Sequence, residues 1–239
     1  MVTIHSLSDT GLRRSNNEDV ALSAELADGY YLVAVADGVG GTRGGEVASA
    51  KAMVPLHDSL REEKIDDPGA ALEAAFQAAN TAVRAASAAR IEIASASTTL
   101  VAALVREGTA WLANVGDSRA YLIHDGEAKQ LTHDHSWVGE QIRAGTVKPD
   151  DPLVKNFSNI VTRVVGQRDE LEVDLYGPIE LPDGSALLTC SDGLHGPVSD
   201  EGIAEGFNEP VDAISAHLVE LAIEAGGPDN VSVAILDTR

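Results

Sequence analysis

Two mostly apolar runs, residues 31–36 and 186–190, each lead into an acid followed by glycine: Asp37-Gly38 after the first and, past Ser191, Asp192-Gly193 after the second. A short apolar run reads as a buried strand, so each acid stands at the rim of a core. Glu18-Asp19 near the start and Asp229-Asn230 near the end add further carboxylates. Two unit charges about 4 Å apart repel by roughly 4 kcal/mol at an effective dielectric of about 20. Either these acids stay apart in the folded chain or they meet around cations, and spacing alone leaves both open.

Donor chemistry narrows the cation. The sequence has no CxxC pair and no clustered-histidine pattern. Carboxylate, carbonyl and water remain, a set suited to Mg²⁺ or Mn²⁺ and poorly suited to zinc, with Mn²⁺ held somewhat more tightly. Two such ions can pin a water, lower its pKa and hold phosphoryl oxygens, so hydrolysis needs no protein nucleophile. Cys190 ends a buried run with no basic cluster beside it and reads as core packing. Arg13 and Arg14 precede Glu18, and a phosphate clamp suits one of the two, because a guanidinium offers two parallel hydrogen bonds.

Bulk composition excludes other classes. With 239 residues, 44% hydrophobic, the chain can bury a substantial core. A net charge of -21 and 4% aromatics speak against nucleic acid and anionic lipid as partners. One cysteine makes no demand for an oxidising compartment. The first nine residues lack the blocks of a signal peptide, and no apolar stretch approaches the roughly 18 residues of a membrane span. The expected location is the cytoplasm, without membrane insertion.

Pattern along the chain predicts strands over 2–7, 20–25 and 30–36, then helices over 46–64 and 68–90 forming an αα-hairpin. Strands follow over 98–106, 110–115, 119–124 and 128–131, read as one antiparallel meander. Residues 134–165 hold a short helix near 137–144 and otherwise read as a functional loop or lid. Strands over 172–176 and 186–190, a helix over 210–225 and a strand over 231–236 complete the chain. Helices and strands are segregated, an α+β layered arrangement in one domain spanning 1–239. Of the five Asp-Gly pairs, those at Asp28, Asp125 and Asp183 lie between strand-like segments and read as turns, whereas those at Asp37 and Asp192 do not.

Eight motifs now line up: residues 8–19 (SDTGLRRSNNED), 36–49 (ADGVGGTRGGEVAS), 97–100 (STTL), 114–119 (NVGDSR), 131–136 (LTHDHS), 162–166 (TRVVG), 189–194 (TCSDGL) and 229–233 (DNVSV). In this order they resemble the bacterial branch of the type 2C metal-dependent Ser/Thr protein phosphatases. The resemblance implies an α-β-β-α sandwich, two antiparallel sheets flanked by helix pairs, with a mobile flap over about 134–165. It implies two Mn²⁺ or Mg²⁺ ions. Asp37 would bridge both, the Gly38 carbonyl and Glu18 would serve the second, and Asp192 and Asp229 would hold the first. Asp117 would share a third, weaker metal site with Asp192. Asp19 would lie in the outer shell orienting metal waters, and Arg14 would take the substrate phosphate.

The chain departs from the eukaryotic pattern at one catalytic position. Val39 stands two residues after the bridging acid, where eukaryotic relatives carry a histidine proposed to protonate the leaving alkoxide. His195 is the nearest substitute by sequence, set against a plain loop histidine. His133 and His135 flank Asp134, and two histidines without a third ligand read as structural. The implied function is hydrolysis of phosphoserine and phosphothreonine in phosphorylated proteins, opposing a Ser/Thr kinase or acting on its substrates. The competing readings are a phosphatase dedicated to one regulatory phosphoprotein and a pseudophosphatase that binds without turnover.

Overall fold

Along residues 31–36 successive side chains serve different layers. Leu32, Ala34 and Ala36 pack with residues of two helices, while Val33 and Val35 face a second sheet. That period of two, apolar on both sides, forces a strand covered on both faces. The computed structural model describes residues 2–39, 44–62, 64–148, 151–157 and 159–239. The middle of the glycine-rich stretch, 40–43, and Pro149 lie outside them.

In chain order the elements are β1 (Thr3–Asp9), β2 (Asp19–Glu25), β3 (Tyr31–Val39), α1 (Gly45–Glu62), α2 (Pro68–Ala89), β4 (Ser97–Thr98), β5 (Leu100–Arg106), β6 (Thr109–Val115), β7 (Arg119–His124), β8 (Glu127–Gln130), α3 (Trp137–Arg143), α4 (Pro152–Phe157), β9 (Asp174–Glu180), β10 (Ala186–Cys190), α5 (Asp192–His195), α6 (Asp200–Gly206), α7 (Ile214–Glu224) and β11 (Val231–Asp237). One sheet runs β1-β11-β10-β7-β8 and the other β2-β3-β5-β6-β9, with β4 paired to β3. All the pairings are antiparallel. Between the sheets lie Val33, Val35, Val101 and Leu112 against Leu187, Ala234 and Leu236.

Helices cover the outer faces. The α2 helix starts where Asp67 accepts the Ala70 N–H at 3.1 Å and Pro68 fits the first turn. Its buried Leu72, Ala75, Phe76, Ala79 and Val83 repeat at helical spacing and join α1 and β3 in one core. On the opposite face Phe207, Ile214 and Leu218 pack onto Leu188, Val233 and Ile235. The α-β-β-α sandwich is therefore present.

Three expectations need correction. The meander over 98–131 is split: β5 and β6 belong to one sheet, β7 and β8 to the other, and residues 116–118 cross between them. Gly116 makes the crossing, with φ of 115° and a Cβ position only 2.5 Å from the Thr99 side chain. The strand expected over 172–176 lies at Asp174–Glu180, running through Gly177 and Pro178. It is the edge strand of its sheet, where proline costs no ladder bond. The helix expected over 210–225 begins only at Ile214, and the short helices α4, α5 and α6 were not anticipated.

Candidate metal centre

Register alone brings the predicted acids together. Asp19 pairs with Asp37 across β2 and β3, Leu100 with Val115, Cys190 with Arg119 and Asp9 with Val231. The starts of β2, β7 and β11 and the ends of β3, β6 and β10 therefore share one end of the sandwich. Glu18, Asp37, Asp117, Asp192 and Asp229 sit at or beside those strand ends. With Arg14 and Gly38 they line a cavity of about 170 Å³.

Backbone bonds fix the donors. The Asp37 N–H donates to Thr99 Oγ1 at 3.1 Å, while its carbonyl accepts from the Thr99 N–H and Thr98 Oγ1, both at 2.8 Å. Ser118 Oγ lies 2.7 Å from the same Thr99 hydroxyl, tying the Asp117 turn to Asp37. The Gly38 N–H donates to the Glu18 carbonyl at 3.1 Å. Asn230 is a hub: its Oδ1 accepts from the Glu18 N–H at 2.8 Å, and its Nδ2 donates to the Thr10 and Asn16 carbonyls, each at 2.9 Å. Arg14 Nη2 donates to Asp229 Oδ2 at 2.6 Å at the exposed rim. Arg13 is exposed.

The polypeptide alone holds these charges at a cost. Burial, then the repulsion of Asp19, Asp192, Asp117 and Asp229, pushes the Asp37 carboxyl well above the usual range. Burial chiefly, with neighbouring acids, raises Asp19 and Asp117 to about 7 and Asp192 to about 6. Glu18 is raised by burial and by Glu46, whose carboxyl hydrogen-bonds it. Asp19 also reaches the Ser191 and Ser232 hydroxyls, yet its Oδ2 is buried without a hydrogen-bond partner. No three acids among the described residues are already drawn to a common point; they ring the cavity. An oxygen-only donor set, an orphaned buried carboxylate oxygen and mutually raised carboxyls fit hard divalent cations.

The remaining candidates fall outside this ring. His195 faces the neighbouring, larger cavity and donates through Nε2 to the Asp117 carbonyl at 3.0 Å. Burial, then Arg119, lowers its pKa to about 3, so the ring is neutral and its N–H holds the Asp117 turn. A general acid would need the imidazolium, and this geometry gives His195 a holding task instead. His135 Nδ1 accepts the Gly116 N–H at 3.1 Å and its Nε2 faces Asp174 at 3.1 Å. His133 bonds through its backbone to Tyr176 and Asn114, so the histidine pair is structural. Cys190 is fully buried and its thiol pushed far up by burial. Residues 134–165 carry α3 and α4, closed at the base by pairing of Ser136 with Val161.

Sequence reasoning missed the polar scaffold. Asn230, Thr98, Thr99, Ser118, Ser191 and Ser232 hold the acids and Glu46 hydrogen-bonds Glu18; Ser232, a buried hydroxyl inside an otherwise apolar strand, was the one readable signal among them.

The family pattern of protein phosphatase 2C matches residues 12–222. The chain belongs to that family. Within the 2C family it is similar to the serine/threonine protein phosphatase PstP of Mycobacterium tuberculosis, 38% identical over 232 residues, which are 96% of this chain and 44% of PstP. The chain thus spans less than half the length of that relative. It is 32% identical over 240 residues to the serine/threonine phosphatase stp of Listeria monocytogenes, covering 96% of this chain and 93% of stp. A solved structure of the PstP catalytic domain in complex with two manganese ions superposes with a TM-score of 0.85 at 37% identity, covering 99% of this chain and 97% of that one.

Proposed function

We propose that this 2C-family chain, one catalytic domain with a flap over about 134–165, hydrolyses phosphoserine and phosphothreonine in proteins at a centre of two Mn²⁺ or Mg²⁺ ions. The observation that carries the reading is the convergence of Glu18, Asp37, Asp117, Asp192 and Asp229 on one cavity with Arg14 at its rim. Asp37, Glu18 and the Gly38 carbonyl would hold one cation, and Asp37, Asp192 and Asp229 the other. Asp117 with Asp192 would hold a third, and Asp19 would lie behind them as an outer-shell acid. When bound, the cations supply Lewis acidity and lower the pKa of a water molecule.

Arg14 takes the phosphate. Its bond to Asp229 engages one nitrogen, and the planar guanidinium keeps a pair of parallel N–H groups for phosphate oxygens. Val39 offers no proton, and His195 is neutral with its N–H engaged, so the leaving alkoxide takes its proton from water. The enzyme opposes a Ser/Thr kinase in the cytoplasm. No helix among the described residues is long and apolar enough to cross a membrane.

Turnover of p-nitrophenyl phosphate and a phosphothreonine peptide should appear with Mn²⁺ and vanish with chelator. Arg14→Ala should raise KM about tenfold with a smaller change in kcat. Purified protein that turns over neither substrate with Mn²⁺ ends this reading, and an unaltered KM in the variant removes the role of Arg14.

A further inference from the structure

The α1–α2 hairpin carries a groove of about 550 Å³ that shares no residue with the acid-lined cavity. Small side chains, Ala50 from α1 and Ala82 from α2, leave the room for it, and Val54 stands beside them 60% exposed. The rest of its wall comes from Lys51, Pro55, Asp58 and Ser59 of α1.

That wall is symmetric about one point. Lys51 and Asp58 lie seven residues apart, about two helical turns or 10.5 Å, so both stand on one face of α1. Their midpoint falls between Val54 and Pro55, and Ala50 and Ser59 are centred on the same place. A two-fold axis through it sets Lys51 against the Asp58 of a second copy and the reverse, Ala50 against Ser59, and Val54 against Pro55. The charges are open to such partners. Lys51 makes no ion pair among the described residues, and Asp58 meets Arg61 and His57 only at 3.4 and 3.6 Å. Elsewhere a second copy meets repulsion, since the chain carries a net charge of -21. The sequences of α1 and α2 are close to neutral, with Glu46, Asp58, Glu62 and Glu73 against Lys51, Arg61 and Arg84, so two copies approach here at little electrostatic cost.

We propose that this groove is the contact of a symmetric homodimer, in which the α1 helices of two copies pack antiparallel, each Val54 entering the groove of the other and two Lys51–Asp58 pairs closing the ends. A foreign partner has no cause to match a pattern centred on one point. A second copy matches it by symmetry. Area sets the strength: α1 is about 27 Å long and a helix pair about 20 Å wide, which gives roughly 500 Å² per copy. A standard interface covers about 800 Å² per partner, so the dimer should be weak, with a Kd of about 50 µM.

Sedimentation equilibrium of the full chain tests this at about 0.15 M salt, where charges more than about 8 Å apart are screened. The wild type should be mostly dimer at about 300 µM and monomer at about 1 µM. Lys51→Asp should raise Kd at least about tenfold, because the axis turns one substitution into two repulsions, and Asp58→Lys should do the same. Combining the two substitutions should bring Kd back to within about threefold of wild type, since the exchanged charges meet again across the axis. Should a charge variant lose its helical circular dichroism, Val54→Asp at its exposed position repeats the measurement and should also raise Kd about tenfold. A wild type that stays monomeric at 300 µM overturns the proposal. So does a dimer that Lys51→Asp and Val54→Asp leave intact, or a folded double variant that associates no better than the single ones.

Discussion

The same dipeptide, Asp-Gly, stands at both ends of the sandwich and does opposite things there. At the far end Asp28-Gly29, Asp125-Gly126 and Asp183-Gly184 turn the chain. Asp28 and Asp125 adopt φ of 57° and 50°, and a Cβ on Gly29, Gly126 or Gly184 would meet nothing within 4 Å. At the near end Gly38 and Gly193 lie outside the left-handed region but have no room. A Cβ on Gly38 would come within 2.6 Å of the Glu18 carbonyl, and one on Gly193 would strike the Asn230 carbonyl. Far-end glycines are used for conformational freedom, near-end glycines for smallness. The aspartates divide the same way, into turn formers open to water and half-buried acids pressed against their own kind.

The largest expected effect comes from removing one near-end charge. Asp37→Asn should lower kcat/KM more than about 100-fold, since loss of a metal ligand should exceed the 10–100-fold typical of its outer partners. In the same variant, treated with chelator at pH 8, the melting temperature should rise, because a buried repelling carboxylate is gone. A chelated variant less stable than wild type would break the contrast between the two ends.

A smaller effect follows from pH. Asp19 and Asp117, raised to about 7, and Asp192, raised to about 6, hold protons in the folded chain that the unfolded chain releases near pH 4. The folded protein therefore binds more protons between about pH 4 and 7, and the chelated protein loses stability as pH rises through that window. Mn²⁺ competes with those protons, so the stabilisation it confers should grow from pH 5 to pH 8. Thermal melts with chelator and with Mn²⁺ measure both slopes; a chelated protein whose melting temperature is flat with pH counts against the buried acid cluster. The smallest effect belongs to the far end. Gly126→Ala, at φ of 76°, should cost about 1 kcal/mol in a denaturant melt and leave turnover as it was.

Much of this division was readable before any coordinates. The runs ahead of Asp37 and Asp192 are apolar on both faces, and only a strand between two layers requires that. The turn readings at Asp28, Asp125 and Asp183 rested on flanking strands; those at Asp28 and Asp125 pair as hairpins, whereas β9 and β10 on either side of Asp183 belong to different sheets, so that turn crosses between layers. Periodicity could not say which sheet a strand joins, because the alternation of β6 and β7 is the same whether they pair or cross. Gly116 decides it through a contact with Thr99 that is distant in sequence. Chemistry left Arg13 and Arg14 as alternative phosphate clamps and resemblance chose Arg14, while Gly38 and Asp117 were assigned through resemblance, since these roles depend on neighbours such as Asp229, Gly45 and His195 that no local pattern connects. Short helices such as α4 and α6 carry too few turns to show a stripe.

The crossing at 116–118 also settles where foreign cargo can be carried. β7 leaves that crossing and runs six residues, about 20 Å at roughly 3.4 Å each, to the hairpin at Asp125-Gly126. A fluorophore or surface tether spliced into that hairpin would sit a full strand length from the cations, with open solvent around it. Immobilised protein could then keep its acid-lined mouth facing the bulk phase.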